Sequence, residues 1–293
     1  MGRVKMYSYK AHLKIRIRIA ILALLICSAM WLMQRAMAED RLQIYFLDVG
    51  QGDASVLICD NEVLMIDGGD SGCSQFIYSF LRNTLGLEYI DAMIATHPHA
   101  DHVGGLSAAL NACSVGVLYT SVIDYDTETW QSVLRYADEQ GTPVVIPEAG
   151  DWFTLGEATV EILGPIYYHN NVNDLSLIVK VTYAGSSFLF MGDAEMEAED
   201  DLLDAGVDLS SDVLRVGHHG SNTSTQSRFL ISVSPTYGII SVGKDNSYGH
   251  PHDETMDRLR DAGVVIMRTD QLGTIECVCD DDGIFFSFEY PMS

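Results

Sequence analysis

The stretch Thr-His-Pro-His-Ala-Asp-His-Val-Gly-Gly, residues 96–105, places three imidazoles and one carboxylate within six positions. A lone histidine is ordinarily a surface or core residue, but a His-x-His-x-Asp-His string concentrates donors that are useful only if the fold gathers them at one point. The cluster therefore constrains the architecture before composition does. The apolar run 91–96, Asp-Ala-Met-Ile-Ala-Thr, reads as a strand leading straight into it, and Gly104 and Gly105 turn the chain after it. Pro98 disfavours helix at His97, so His97 and His99, two apart on extended chain, project to one side. Asp101 and His102 lie just beyond. Four such donors can serve two ions a few ångströms apart, and imidazole with carboxylate suits zinc, manganese or iron.

The remaining sequence alternates short β-rich runs with helical ones. The runs 42–50, 55–60 and 62–69 read as strands, and 73–86 as a helix ending at Gly86. A helix from about Gly105, a strand at 115–121, a helix at 127–141 and a strand at 143–148 follow. The second half continues with a strand at 158–165 and a hairpin over 175–193 turning at Ala184-Gly185-Ser186. A helix from Ala194 to about Ala205, a strand at 212–217, a short helix near Phe229, a strand at 237–243, a helix at 253–263 and a final pair of strands complete it. This predicts one α/β domain over residues 39–293, in which two β-rich halves are each covered by helices.

Further candidate donors fall at strand ends, where a rigid scaffold presents site residues. Asp193 ends one strand and His218-His219 another. In isolation Asp193 reads equally well as a helix N-cap, and His250 and His252 as a turn before a helix capped by Asp253. The loops at 125–130 and 167–171, expected to shape the pocket, carry no readable motif, and packing is one explanation of their aromatics.

The first 38 residues have a different character. Seven Lys and Arg with no acid precede and flank an apolar run, Ile19 to Met33, and Ala36-Met37-Ala38 offers small residues where a signal peptidase reads. The segment reads as an export signal, or as an uncleaved anchor if its short apolar run spans a membrane. Either way the rest is expected outside the cytoplasm, secreted or held on the outer face, with membrane contact only through this segment. Beyond it, ten Lys and Arg face all 41 acids, a formal charge of −31. Such a surface repels phosphate backbones, so no stable nucleic-acid partner is expected. Five cysteines remain, Cys59, Cys73, Cys113, Cys277 and Cys279. One ordinary disulfide or core packing explains them better than a metal, and Cys277 and Cys279 share one strand face, so neither can pair with the other.

The ordered set THPHADHVGGL, FLFMGDAE and VLRVGHHGS resembles the successive metal motifs of the metallo-β-lactamase fold. FLDVGQGDASVL, MIDGG, NDLSLIVKV and NSYGHPH further resemble the hydrolase domain of ComEC-type competence proteins and, less closely, secreted phosphorylcholine esterases. The similarity runs from residue 42 to about 275. It implies a four-layer αββα sandwich with one or two divalent ions, zinc or manganese, at one edge of the sheets. Carried over, His97 and His99 with a later donor would hold a first ion, Asp101 and His102 a second, and Asp193 would bridge them. His219 would be a ligand and His218 a neighbour or substrate contact, with the reverse order open. Asp67 would buttress the site. Many relatives have a further histidine before the bridging aspartate; here Asn173-Asp174-Leu175-Ser176 stands instead, nearer the competence-type pattern, with His169 outside it. That weakens the first ion's site or favours manganese.

The implied activity is hydrolysis by metal-activated water, of phosphoesters by resemblance, whether a phosphodiesterase or a nuclease. Asp101 or Asp193 would orient the water, and His218 or His250 would pass a proton to the leaving oxygen or grip a phosphate. His252 is a lesser helper, and Asp48, Asp53, Asn173 and Ser176 would support the same edge. Expected substrates are a small phosphodiester, nucleic acid or a cell-wall component. Two alternatives stand beside this one: a hydrolase of lactones, β-lactams or thioesters on the same fold, and a non-catalytic metal-binding protein.

Overall fold

The computed structural model describes residues 41–288, so the expected leader lies outside the described residues. No helix among the described residues is long and apolar enough to cross a membrane. Two sheets dominate. One has eight strands in the spatial order Gly283–Phe288, Ile275–Asp280, Leu42–Phe46, Ala54–Cys59, Glu62–Gly68, Ala92–Ala95, Leu118–Thr120 and Val144–Val145. Its first five strands pair antiparallel and its last four, sharing Glu62–Gly68, run parallel. The other has seven, Val265–Arg268, Tyr237–Ile240, Val213–Arg215, Ser186–Phe190, Ile178–Tyr183, Ala158–Gly164 and Trp152–Leu155, parallel over the first four and antiparallel over the rest.

Alternating burial drives this pairing. In Leu42–Phe46 the side chains of Leu42, Ile44 and Phe46 enter an inter-sheet core with Val160, Val179, Val181, Phe188 and Phe190 from the other sheet. Each sheet's outer face is covered by helices. Trp130, Val133 and Ala137 of the Glu128–Gln140 helix pack on the first sheet with Leu106 and Leu110 of Leu106–Ala112. Ala198 and Leu202 of Met196–Ala205, Phe229 and Leu230 of Ser227–Val233, and Met256 and Leu259 of Asp253–Asp261 cover the second. This is the expected αββα sandwich, with three apolar layers between four structural ones.

Several local expectations shift. The helix from residue 74 is α-helical only over Ser74–Ser79 and then widens into a π-turn over Phe80–Thr84, closed by Leu85 N–H donating to the Phe80 carbonyl. The helix after Asp193 starts at Met196 rather than Ala194, because the Asp174 carboxylate accepts from the Glu195 and Ala198 amides and fixes the start there. His252, not Asp253, is the N-cap of Asp253–Asp261. Two strands without a strong β-pattern, Trp152–Leu155 and Val265–Arg268, form the edges of the second sheet. All five described cysteines are free, so no disulfide forms; Cys277 and Cys279 face the inter-sheet core together.

Candidate metal centre

The carboxyl ends of the parallel strands in both sheets meet at one edge, where α/β folds place their ligands. The first sheet delivers Asp67 at the end of Glu62–Gly68 and the histidine cluster after Ala92–Ala95. The second delivers Asp193 after Ser186–Phe190 and His218-His219 after Val213–Arg215. Glycine permits the close approach of segments here. A Cβ on Gly52, at φ +145, would overlap the Asp101 carbonyl, and that carbonyl accepts the Asp53 N–H at 3.0 Å. His218 and His219 both adopt left-handed backbone, φ 48 and 53, a costly conformation for two successive non-glycine residues that is found where side-chain aim matters.

Two donor groups share Asp193. In the first, His97, His99 and Asp193 offer ligand atoms within 4.8 Å of one another; in the second, Asp101, His102, Asp193 and His219 do so. Across the second group, His102 Nε2 lies 3.1 Å from Asp193 Oδ1, and His219 Nε2 lies 3.2 Å from Asp101 Oδ2 and 3.4 Å from Asp193 Oδ1. Across the first, His97 Nε2 is 3.0 Å from His99 Nδ1 and 3.7 Å from Asp193 Oδ2. Donors held about 2.1 Å from one ion in a tetrahedron sit about 3.4 Å apart, so the spacing fits.

Burial and hydrogen bonding make the same test independently. His102 Nε2, His219 Nε2 and Asp193 Oδ1 are buried with no hydrogen-bond partner. Orphaned polar atoms of this kind are rare, and three converging on one point require a cation or water. The opposite ring nitrogens are occupied. His102 Nδ1 donates to Asp67 Oδ2 at 2.8 Å and His219 Nδ1 to the Ser241 carbonyl at 3.1 Å, which fixes both Nε2 lone pairs toward the gap. Asp67 also accepts the Thr96 amide at 2.8 Å and the Thr96 hydroxyl at 2.7 Å. The Thr96 hydroxyl oxygen in turn lies 3.2 Å from His97 Nδ1 and Ser176 Oγ lies 3.4 Å from it.

Charge in the cluster points the same way. Burial alone would lower His102, yet the Asp193 and Asp67 carboxylates hold it well above the ordinary imidazole range. Burial pushes Asp193 up, but His102 and His219 carry it well below the usual carboxylate range. For Asp101, burial is outweighed by His219, whose Nε2 lies 3.2 Å away, and by the His102 charge, and it too lies low. Burial lowers His97 and His99. A carboxylate set that pulls positive charge onto His102 is suited to a cation.

These groups floor a cavity of about 330 Å³ lined by Gln51, His99, Asp101, Asn173, Asp193, His218, His219, Tyr248 and His250. His218 stands beside the donors, its Nε2 3.7 Å from Asp193 Oδ2 and its Nδ1 2.8 Å from Glu195 Oε1. His250 lies under the exposed ring of Tyr248, 5.7 Å between centroids, and burial together with His219 and His218 lowers it to about 4. Ser176 accepts the Asp193 amide at 3.1 Å. Asp53 is buried behind His219.

Other expected residues stand apart. Asp48 does not line this cavity: its Oδ1 accepts the Gly50 N–H at 3.2 Å and its own N–H donates to Thr274, so it shapes the turn that carries Gln51. His252 accepts the Asn222 amide at 2.9 Å and supports the neighbouring loop. His169 folds onto the Met196–Ala205 helix, pairing with Asp201 at 2.7 Å and Glu197 at 3.4 Å. Trp130 is core, but Tyr167 and Tyr168 are 63% and 82% exposed, so packing does not account for them. The sequence reading missed Glu195, which accepts from Asn173, Thr223, Asn171 and His218. Its position two residues after Asp193 was the available signal.

A family model described as the metallo-beta-lactamase superfamily matches residues 47–244. ComE operon protein 3 of Bacillus subtilis is 30% identical over 252 residues, 80% of this chain and 32% of that protein. Competence protein ComA of Neisseria gonorrhoeae is 30% identical over 243 residues, 82% of this chain and 33% of that protein. The chain thus spans about a third of the length of these relatives. Among solved structures, the metallo-beta-lactamase fold protein YhfI from Bacillus subtilis is similar with a TM-score of 0.53 at 11% identity, over 85% of this chain and 100% of that one.

Proposed function

Because the chain belongs to the metallo-β-lactamase superfamily, we propose that it is an extracytoplasmic, metal-dependent hydrolase of phosphodiester bonds. The observation that carries the reading is the convergence of three orphaned buried atoms, His102 Nε2, His219 Nε2 and Asp193 Oδ1, on an open cavity. One or two zinc or manganese ions there, held by His97, His99 and Asp193 and by Asp101, His102, Asp193 and His219, would supply an acidified water and a Lewis acid.

The chain's own groups do the rest. Asp101, a third exposed on its side chain and opening on the cavity, can orient the attacking water. His218, its ring held at Nδ1 by the Glu195 carboxylate, presents Nε2 beside the donors and, as an imidazolium, would pass that proton to the leaving oxygen. Gln51 and His250, which line the same cavity, can donate to a non-bridging phosphate oxygen. The name of one relative, competence protein ComA, directs the substrate search to nucleic acid. The acidic surface favours a short or loosely held strand over a long duplex, and leaves small phosphodiesters and cell-wall components beside it. Export rests on the basic and apolar segment 1–38.

The test is hydrolysis of bis-p-nitrophenyl phosphate by the purified chain with zinc or manganese, against a His99→Ala/Asp101→Ala control. Metal-dependent turnover abolished in the control supports the reading. Bound metal without turnover sends it to lactones and thioesters, and absence of bound metal under either condition overturns it.

A further inference from the structure

Behind His219 lies an ion pair that the proposed chemistry does not use. Asp53, just before the Ala54–Cys59 strand of the first sheet, pairs with Arg215, the last residue of the Val213–Arg215 strand of the second. Both are nearly sealed from solvent, at 6% and 3% exposure. The pair therefore ties the two sheets together beneath the metal edge. Burial lowers the Arg215 guanidinium to about 9, still charged at neutral pH.

Asp53 touches the second donor group at Asp101 and His219 and ties it to the turn at Gly69. Its amide donates to the Asp101 carbonyl at 3.0 Å, its carbonyl accepts the Gly69 N–H at 2.7 Å, and its Oδ1 lies 3.4 Å from His219 Nδ1. It also forms, with Asp67 and His102, a third trio whose donor atoms lie within 4.8 Å of one another. An unpaired carboxylate there would compete. It would draw the His219 N–H away from Ser241, repel Asp67, and offer itself to the cation. A buried ion pair is a poor source of stability, since desolvation consumes most of its Coulomb energy, so its use is better sought in placement.

We propose that the Asp53–Arg215 pair is a positioning device for the second donor group: Arg215 keeps the Asp53 carboxylate out of the ligand shell, and Asp53 holds Asp101 and His219 in register across the two sheets. This rests on the metal reading above, and the experiment separates the two. Zinc affinity is measured by competition with a chromophoric chelator, first for the parent chain, where failure to bind any ion defeats the functional reading itself. In a His99→Ala background, which leaves the second group intact, adding the near-isosteric neutral pair Asp53→Asn/Arg215→Gln should weaken zinc by about 10–100-fold, with Arg215→Lys in between. In an Asp101→Ala/His102→Ala/His219→Ala background, which leaves only the first group, the same pair should change affinity less than about twofold. Equal affinities with and without the ion pair, or equal losses in both backgrounds, would overturn the proposal. Failure of both Arg215 variants to fold would also overturn it, because the pair would then be a fastener of the sheets and not a positioning device.

Discussion

Around Asp193 the two donor groups differ in how they are held from behind. His102 is backed by the Asp67 carboxylate and His219 by the Ser241 carbonyl, both rings fully buried. His97 leans on two hydroxyls, Thr96 and Ser176, and His99 is half-buried against His97 and the edge of Tyr125, with no carboxylate or carbonyl behind it among the described residues. Carboxylate backing fixes a tautomer and raises ligand basicity, whereas a hydroxyl can accept or donate and fixes neither. The second group should therefore bind its ion more tightly, leaving the first ion exchangeable. The stretch Asn173–Ser176 deepens the contrast. Asp174 is spent capping a helix and Asn173 hydrogen-bonds Glu195, so neither strengthens the first group.

The largest effect should come from removing what the groups share. Asp193→Ala is expected to abolish binding of both ions and lower kcat/KM by about a thousandfold or more, about 4 kcal/mol of transition-state stabilisation, read by elemental analysis and bis-p-nitrophenyl phosphate turnover. Next, His99→Ala should cost one ion only; a variant that lost both would erase the distinction between the groups. Asp67→Asn should turn the His102 tautomer so that Nε2 carries the proton. It should weaken the second ion by about 100-fold and the first by only a few-fold through Thr96, as chelator competition will read. The smallest effect lies away from both groups. Glu199 is buried, accepts from the Thr225 and Gln226 amides, and burial raises it to about 7. A carboxyl raised in the folded state contributes stability below its unfolded value, about 4.3, that is lost as pH rises toward 7. Thermal melts should show the parent losing stability across that window and Glu199→Gln losing less of it, with ion binding unchanged in both.

Legibility followed sequence distance. The cluster from His97 to His102 was readable because its donors are local and flanked by strand and glycine. Asp193 and His219 needed the resemblance, since a lone Asp at a strand end reads equally well as a helix cap and an isolated His pair reads against ligation. Asp48 was placed on the metal edge because a DVGQGD turn looks like a lining, whereas its carboxylate is used on Gly50 and the lining residue is Gln51. Glu195, Ser241 and Arg215 act through contacts that cross between loops or sheets, and no periodicity encodes those. The edge strand Trp152–Leu155 went unread because two of its four side chains are exposed and its alternation is weak.

The donor geometry predicts a metal centre with a tight second group and a looser first. Anomalous diffraction at the metal edge, on crystals grown with limiting zinc, tests it most directly. A strong peak about 2.0–2.2 Å from His102 Nε2, His219 Nε2 and carboxylate oxygens of Asp101 and Asp193, with a weaker one or none beside His97 and His99, is the expected result. A stronger peak at His97 and His99, or no peak in the cluster, would contradict it.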